Sequence, residues 1–205
     1  MSGYDPIAEE YAVEFFHELQ HKPFDQQLLN RFAEQVRHLG PVCDLGCGPG
    51  QIAYYLHEHG ADAFGVDLSL AIVKVARRLN PGLRFAQGDI MALPAADNSW
   101  GGIAAFYSLI HIPRHQMVAA LQEIGRVLRP GGLLLLSFHI GDETLHLDQW
   151  WDKPVSLDFH FFQPGEIETY LGQAGFVILE NLQRAPYENV EHPSRRGYIL
   201  AQCPA

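Results

Sequence analysis

Three aspartates in the first half of the chain could do chemistry together: Asp44 in PVCDLGCGPGQ, Asp67 in FGVDLS and Asp89 in QGDIMALP. Each stands at the end of a short apolar run. Three glycines at alternate positions follow the first, Gly46, Gly48 and Gly50. A glycine-rich turn after a strand commonly cradles part of a nucleotide, and the neighbouring residue types decide which. A phosphate-gripping P-loop needs Gly-Lys-Ser/Thr, and neither a Lys nor a Ser/Thr follows Gly50. A dinucleotide turn survives on the glycines alone, because Gly48 to Ala53 fits the alanine variant of G-x-G-x-x-G. Asp44 argues otherwise. A carboxylate there repels a pyrophosphate and suits a ligand that presents an ammonium group. Asp67 can accept two hydrogen bonds from ribose hydroxyls, a feature shared with dinucleotide folds. Asp89 can accept from an adenine amino group while Ile90 offers its backbone N–H, with Leu68 and Ile90 on the two faces of the ring. One carboxylate at each of three strand ends is far more specific than a lone glycine turn.

The elements that must position these groups can be traced along the chain. Pro6 to about Gln20 reads as a helix with Asp5 as N-cap, since Ile7, Tyr11, Phe15 and Leu19 recur every four residues. KPFD breaks it, and Asp25 to about Leu39 is a second helix. Strand and helix then alternate. Strands are expected at Val42–Leu45, Ala63–Val66, Leu83–Ala86, Gly101–Tyr107 and Leu133–Phe138. Helices are expected from Gly50 to about His59, from a Ser69 cap to Leu79, and from Arg114 to Leu128. His139 to Phe162 reads as long and irregular. Pro164 to Ala174 is a helix, and strands follow near Phe176–Leu182 and Gly197–Gln202. Such alternation implies a parallel sheet covered by helices on both faces. Only a short loop separates the last two strands, so the final strand is expected to run antiparallel to its neighbour. Ligands of open α/β sheets bind beyond the carboxyl ends of the strands, where the glycine turn should sit.

VCDLGCGPGQ, GVDLS, GDIMALP and EIGRVLRPGGLLLLS, in that order and spacing, resemble the successive signatures of class I S-adenosylmethionine-dependent methyltransferases. S-adenosylmethionine carries an ammonium and a sulfonium and has no phosphate, which agrees with Asp44. The resemblance covers residues 41 to 138 closely and the rest in outline. It implies a Rossmann-like α/β/α sandwich with a seven-stranded, mostly parallel sheet, the last strand antiparallel, and an N-terminal helical lid. It implies a single methyltransferase domain: lid 1–40, cofactor-binding core 41–138, substrate cap 139–162, and a C-terminal helix and strand pair 163–205. It also implies that Asp44, Gly46, Gly48 and Gly50 surround the methionine part, Asp67 the ribose, and Asp89 and Ile90 the adenine. Cys47, Gln51, Leu68, Ser69 and Gly88 flank these positions and belong to the same expected binding set.

Further residues are candidates around that core. The carbonyls of Phe106 and Tyr107 could hold the ammonium, and His111 lies just beyond. Tyr11 could reach the methionine carboxylate or the acceptor, and Lys22 could pair with that carboxylate; the bland alternatives are a core aromatic and a solvated lysine. The aromatic stretch after the fifth strand is where the family places acceptor recognition. His139, Trp151, Phe159 and His160 are its expected site residues. His111, His139 and His160 are the candidates for a general base, needed only if the nucleophile carries a proton. No metal is expected, because His139, His146 and His160 include no i, i+4 pair. Tyr187, His192, Arg195 and Arg196 could line a rim or form a polar hairpin.

The bulk numbers narrow the classes. A net charge of −10 over 205 residues disfavours a general nucleic-acid binder. Three cysteines make no disulfide framework, which fits a reducing, cytoplasmic setting. No apolar run reaches membrane-spanning length. The expected partner is a small-molecule methyl acceptor attacked at O, N, S or C, with neither nucleic acid nor membrane, and a homodimer is compatible. A methyltransferase acting on RNA or protein, and a non-catalytic S-adenosylmethionine-binding protein, are the alternatives.

Overall fold

The computed structural model describes residues 3–204. A seven-stranded sheet organises them. Its strands are β1 (Val42–Leu45), β2 (Ala63–Asp67), β3 (Arg84–Gln87), β4 (Trp100–Phe106), β5 (Leu128–Ile140), β8 (Val177–Arg184) and β9 (Arg195–Gln202). Their order across the sheet is β3-β2-β1-β4-β5-β9-β8. The pairings from β3 through β5 are parallel, whereas β9 is antiparallel to both β5 and β8. The expected doubly covered sheet with its last strand reversed is therefore the observed one. The order reverses between β1 and β4, and the crevice beyond their carboxyl ends is the switch point of the sheet.

Side chains that alternate between the two faces of the sheet, buried on both, explain how both faces are covered. Along β5, Leu134 and Leu136 join one core with Met117, Leu121, Ile124 and Val127 of α5 (Met117–Val127). Leu133 and Leu135 face the other way and pack with Leu29, Phe32 and Val36 of α2 (Pro23–Val36). Helices α3 (Gln51–Glu58) and α4 (Leu70–Leu79) follow β1 and β2, and α6 (Pro164–Gln173) precedes β8. Ser69 caps α4 as expected, its Oγ accepting from the Ile72 N–H at 3.1 Å.

The N-terminal helix is interrupted. Asp5–Ile7 is a 3-10 turn, α1 spans only Ala8–Phe15, and a second 3-10 turn covers Glu18–His21. Asp5 is the first residue of the first of these turns and not its N-cap; its carboxylate accepts from Ser69 Oγ at 2.5 Å, tying the N-terminal segment to the start of α4. Pro23 opens α2 rather than ending the element before it, because a proline at the first helical position forfeits no hydrogen bond. The stretch expected to be irregular is a hairpin of β6 (Thr144–Trp150) and β7 (Lys153–His160). Trp151 and Asp152 make its turn with φ of 50° and 58°, the left-handed pair that a two-residue hairpin needs.

Candidate functional site

The carboxyl ends of β1, β2 and β4, with the loop after β3, open into one cavity of about 350 Å³. That volume falls within the roughly 300–1,000 Å³ of small-ligand sites. Gly3, Tyr4 and Tyr11 from the N-terminal segment, the expected lid, and Ser156–Asp158 of β7 also line it, so that segment and the hairpin roof what the sheet floors.

Steric need shapes the glycine turn at two positions. Gly46 has φ +72°, and a Cβ there would lie 2.3 Å from Ser108 Cβ. Gly50 has φ +88°, and its Cβ would meet the Phe85 ring at 2.6 Å. Only glycine accepts both the left-handed backbone and the close approach. The N–H groups of Gly46 and Cys47 donate to the Val66 carbonyl at 2.7 and 3.0 Å, locking the turn across β1 and β2.

The three aspartates converge. Asp44 is 1% exposed, and its Oδ2 accepts from the Ala53 N–H at 2.9 Å. Burial raises its carboxyl to about 7, the Ala53 bond opposing and the charge of Asp67 assisting. Asp67 accepts from the Ser69 N–H at 2.8 Å and the Gly48 N–H at 3.0 Å, and burial raises it to about 6. Those two bonds orient the carboxylate and leave each oxygen a lone pair for a ligand hydroxyl. Asp89 accepts from the Met91 N–H at 2.8 Å, which fixes the turn that brings Gly88, Asp89 and Ile90 to the cavity opposite Leu68.

Two buried polar atoms on lining residues, Gln51 Oε1 and Ser108 Oγ, have no hydrogen-bond partner among the described residues. An acceptor left so costs on the order of 1–3 kcal/mol, so a ligand bringing N–H donors is favoured. Lys22 is 6% exposed, donates to Glu18 at 2.6 Å, and stands 5.6 Å from the Tyr107 ring centroid. A buried ammonium close to buried acceptors suits a ligand carrying its own carboxylate and ammonium. Behind Lys22, Arg184 bridges Asp25 and Glu191 at 2.7 and 2.6 Å. The residues present thus fit S-adenosylmethionine: acceptors for a cation, carboxylates for a ribose and an adenine, and no phosphate cradle.

The expected site residues separate into two groups. Tyr11, Lys22, Asp44, Gly46, Cys47, Gly48, Gln51, Asp67, Leu68, Gly88, Asp89, Ile90, Phe106, Tyr107 and His111 line the cavity. Gly50 and Ser69 stand behind it, one in the turn and one capping α4. His139 lies outside the lining, stacked on Phe161 at 4.9 Å and 2.8 Å from Ser194 Oγ. Burial and the Arg196 charge lower it to about 3, so it stays neutral. His160 lies on the hairpin, 2.8 Å from Thr144 Oγ1. Trp151 stacks on Trp150 at 4.7 Å, and Phe159 packs edge-on against His111; neither lines the cavity. The hairpin reaches the cavity through Ser156, Leu157 and Asp158 instead. Tyr187, His192, Arg195 and Arg196 do not reach it; Arg196 is buried, donating to Ser194 and His192. Sequence reasoning passed over Glu18, Asp25 and Ser108, which line the cavity but sit in no recognisable motif.

Comparisons with known proteins place the fold and the sequence core among methyltransferases. Residues 42–132 match the methyltransferase domain family. A malonyl-[acyl-carrier protein] O-methyltransferase of Enterobacter lignolyticus is 32% identical over 141 residues, 66% of this chain and 54% of that protein. A demethylmenaquinone methyltransferase of Renibacterium salmoninarum is 34% identical over 96 residues, 47% of this chain and 40% of the other. The chain thus spans about half the length of these relatives. A SAM-dependent methyltransferase structure from Methanosarcina mazei shares the fold with a TM-score of 0.71 at 19% identity, covering 80% of this chain and 92% of that one.

Proposed function

We propose that this chain, residues 42–132 of which match the methyltransferase domain family, is a class I S-adenosylmethionine-dependent methyltransferase that transfers a methyl group to a small-molecule acceptor. One observation carries the reading: carboxylates at the ends of β1 and β2 and just after β3 surround a single cavity that also holds unpartnered buried acceptors. When bound, the cofactor supplies an electrophilic methyl carbon on a sulfonium. The chain's part is to bind, align and exclude water. Asp44, Gln51 and Ser108 would accept from the ammonium, and Lys22 would face the carboxylate. Asp67 would take the ribose hydroxyls and Asp89 the adenine amino group. Tyr4 and Tyr11, with Ser156–Asp158, would keep water from the reacting end.

The two relatives act on a malonyl carrier protein and on demethylmenaquinone, acceptors of unlike chemistry, so neither is carried over. No helix among the described residues is long and apolar enough to cross a membrane. The described cysteines are all free, which accords with a reducing, cytoplasmic setting. Calorimetry tests the reading. S-adenosylhomocysteine should bind and NAD should not; the reverse result removes it. Binding without methyl transfer to any acceptor in a labelled metabolite screen would favour a non-catalytic binder.

A further inference from the structure

We propose that Tyr4 is a catalytic residue acting with His111, and that the pair serves an acceptor whose nucleophilic oxygen or nitrogen still carries a proton when it binds; this rests on the methyltransferase reading above. The two residues lie 107 positions apart, and the Tyr4 hydroxyl meets His111 Nε2 at 3.0 Å. Both line the cavity. His111 Nδ1 is 2.7 Å from the Asp158 carbonyl oxygen. A carbonyl only accepts, so Nδ1 carries the hydrogen, and in the neutral ring Nε2 is left as the acceptor that faces Tyr4. A backbone carbonyl, a fixed tautomer, and a hydroxyl at the cavity wall form a line along which a proton can leave the site.

The charges around the pair favour that direction. Among the described residues, the titratable groups that face His111 include Tyr4 and, from β7, Asp158 and His160; Asp67 and Tyr11 face Tyr4. Burial lowers His111 below the ordinary histidine range, so at neutral pH it is an uncharged base. Burial and the charge of Asp67 raise the Tyr4 phenol, so Tyr4 passes a proton on rather than standing as a phenolate. The step balances as follows. The acceptor's lone pair forms the bond to the methyl carbon while the carbon–sulfur bond breaks and its electrons remain on sulfur. The acceptor's proton moves to the Tyr4 oxygen, and Tyr4's own proton moves to His111 Nε2, giving an imidazolium whose Nδ1–H donates to the Asp158 backbone carbonyl. A carboxylate acceptor brings no proton and would leave this line idle.

Nitrogen-15 NMR of histidine in the S-adenosylhomocysteine complex tests the arrangement without an acceptor. The proposal expects a neutral His111 with Nδ1–H at neutral pH and an Nε2 resonance that Tyr4→Phe moves. A charged ring or an Nε2–H tautomer overturns it. Methyl transfer is then compared across phenol, alcohol, amine and carboxylic acid probes. Turnover of a hydroxyl or amine probe is expected, with Tyr4→Phe lowering kcat about 100-fold and leaving S-adenosylhomocysteine affinity within about twofold. The rate of the wild type should fall in acid as His111 gains its proton. Turnover confined to carboxylates, an unchanged kcat in Tyr4→Phe, or a change in KM alone overturns the proposal. If no probe is turned over, the tautomer measurement decides. Failure of the wild type to bind S-adenosylhomocysteine removes the methyltransferase reading instead, and is read separately.

Discussion

Asp44 and Ala53 share one hydrogen bond of 2.9 Å, and it ties the end of β1 to the first turn of α3. The carboxylate therefore has a structural partner and a cavity face at once. Asparagine can keep the first role, since its carbonyl oxygen still accepts from Ala53, but it loses the charge. Asp44→Asn should leave the melting temperature of the unliganded protein unchanged or raised. S-adenosylhomocysteine affinity should fall about 10- to 100-fold, the scale of a hydrogen bond to a charged group. Calorimetry and thermal melts check both halves, and unchanged affinity would deny Asp44 the ammonium.

The same burial makes stability and binding depend on pH in opposite senses. Asp44 is raised to about 7 and Asp67 to about 6, so the folded protein holds protons that the unfolded chain releases. Their contribution to stability is present below the ordinary carboxyl range and is lost as pH rises through about 6 to 7. A cationic ligand favours the ionised forms, so its affinity should grow over that window and its binding should release protons. Melting curves across pH, and calorimetry in buffers of different ionisation enthalpy, read the two trends. Proton uptake on binding would contradict the assignment.

Two glycines offer a contrast in one experiment. Gly46→Ala puts a Cβ 2.3 Å from Ser108 Cβ in a left-handed backbone. It should cost about 2–4 kcal/mol, strain and overpacking together. Gly82, which has nothing within 4 Å of its virtual Cβ, should tolerate alanine within about 0.5 kcal/mol. Urea midpoints measure both; equal losses would refute the packing argument.

Trp150 joins the roof's two halves. Its ring lies 6.0 to 6.4 Å from Tyr4, Tyr11 and Phe15 of the lid and 4.7 Å from Trp151. Trp150→Ala should speed S-adenosylhomocysteine dissociation by about tenfold, a loss near 1.4 kcal/mol, while leaving methyl transfer to a saturating acceptor less affected. Stopped-flow dissociation is the measurement, and an unchanged rate would mean that the lid closes without this contact.

The sheet was legible because its signals are local. Asp44, Asp67 and Asp89 each end or follow a short apolar strand, and the unbroken apolar run of Leu133 to Leu136 announces a strand buried on both faces. The roof was less so. The hairpin turn uses Trp151 and Asp152 at positive φ, where a sequence reader looks for Asn-Gly. The partnership of Tyr4 with His111 spans 107 residues and depends on how two distant segments dock. Glu18 and Asp25 likewise reach the cavity only because the interrupted lid turns back toward α2. The aromatic richness of residues 150–162 pointed to the right region, but the side chains at the cavity are the plainer Ser156, Leu157 and Asp158.

Cys47 sits in the glycine turn, 3% exposed and on the cavity wall. Thiolate sulfur is among the best acceptors of an activated methyl group, so a cysteine beside such a donor invites self-inflicted alkylation. Burial, with Asp67 and Asp44 adding negative charge nearby, pushes this thiol well above its ordinary range, so at neutral pH it remains the poorly nucleophilic S–H form. The carboxylates proposed to hold the donor's ammonium and ribose thereby also help burial to disarm the nearest competing nucleophile. Prolonged incubation with S-adenosylmethionine should leave Cys47 unmodified by mass spectrometry, and S-methylcysteine at that position would show the protection to be absent.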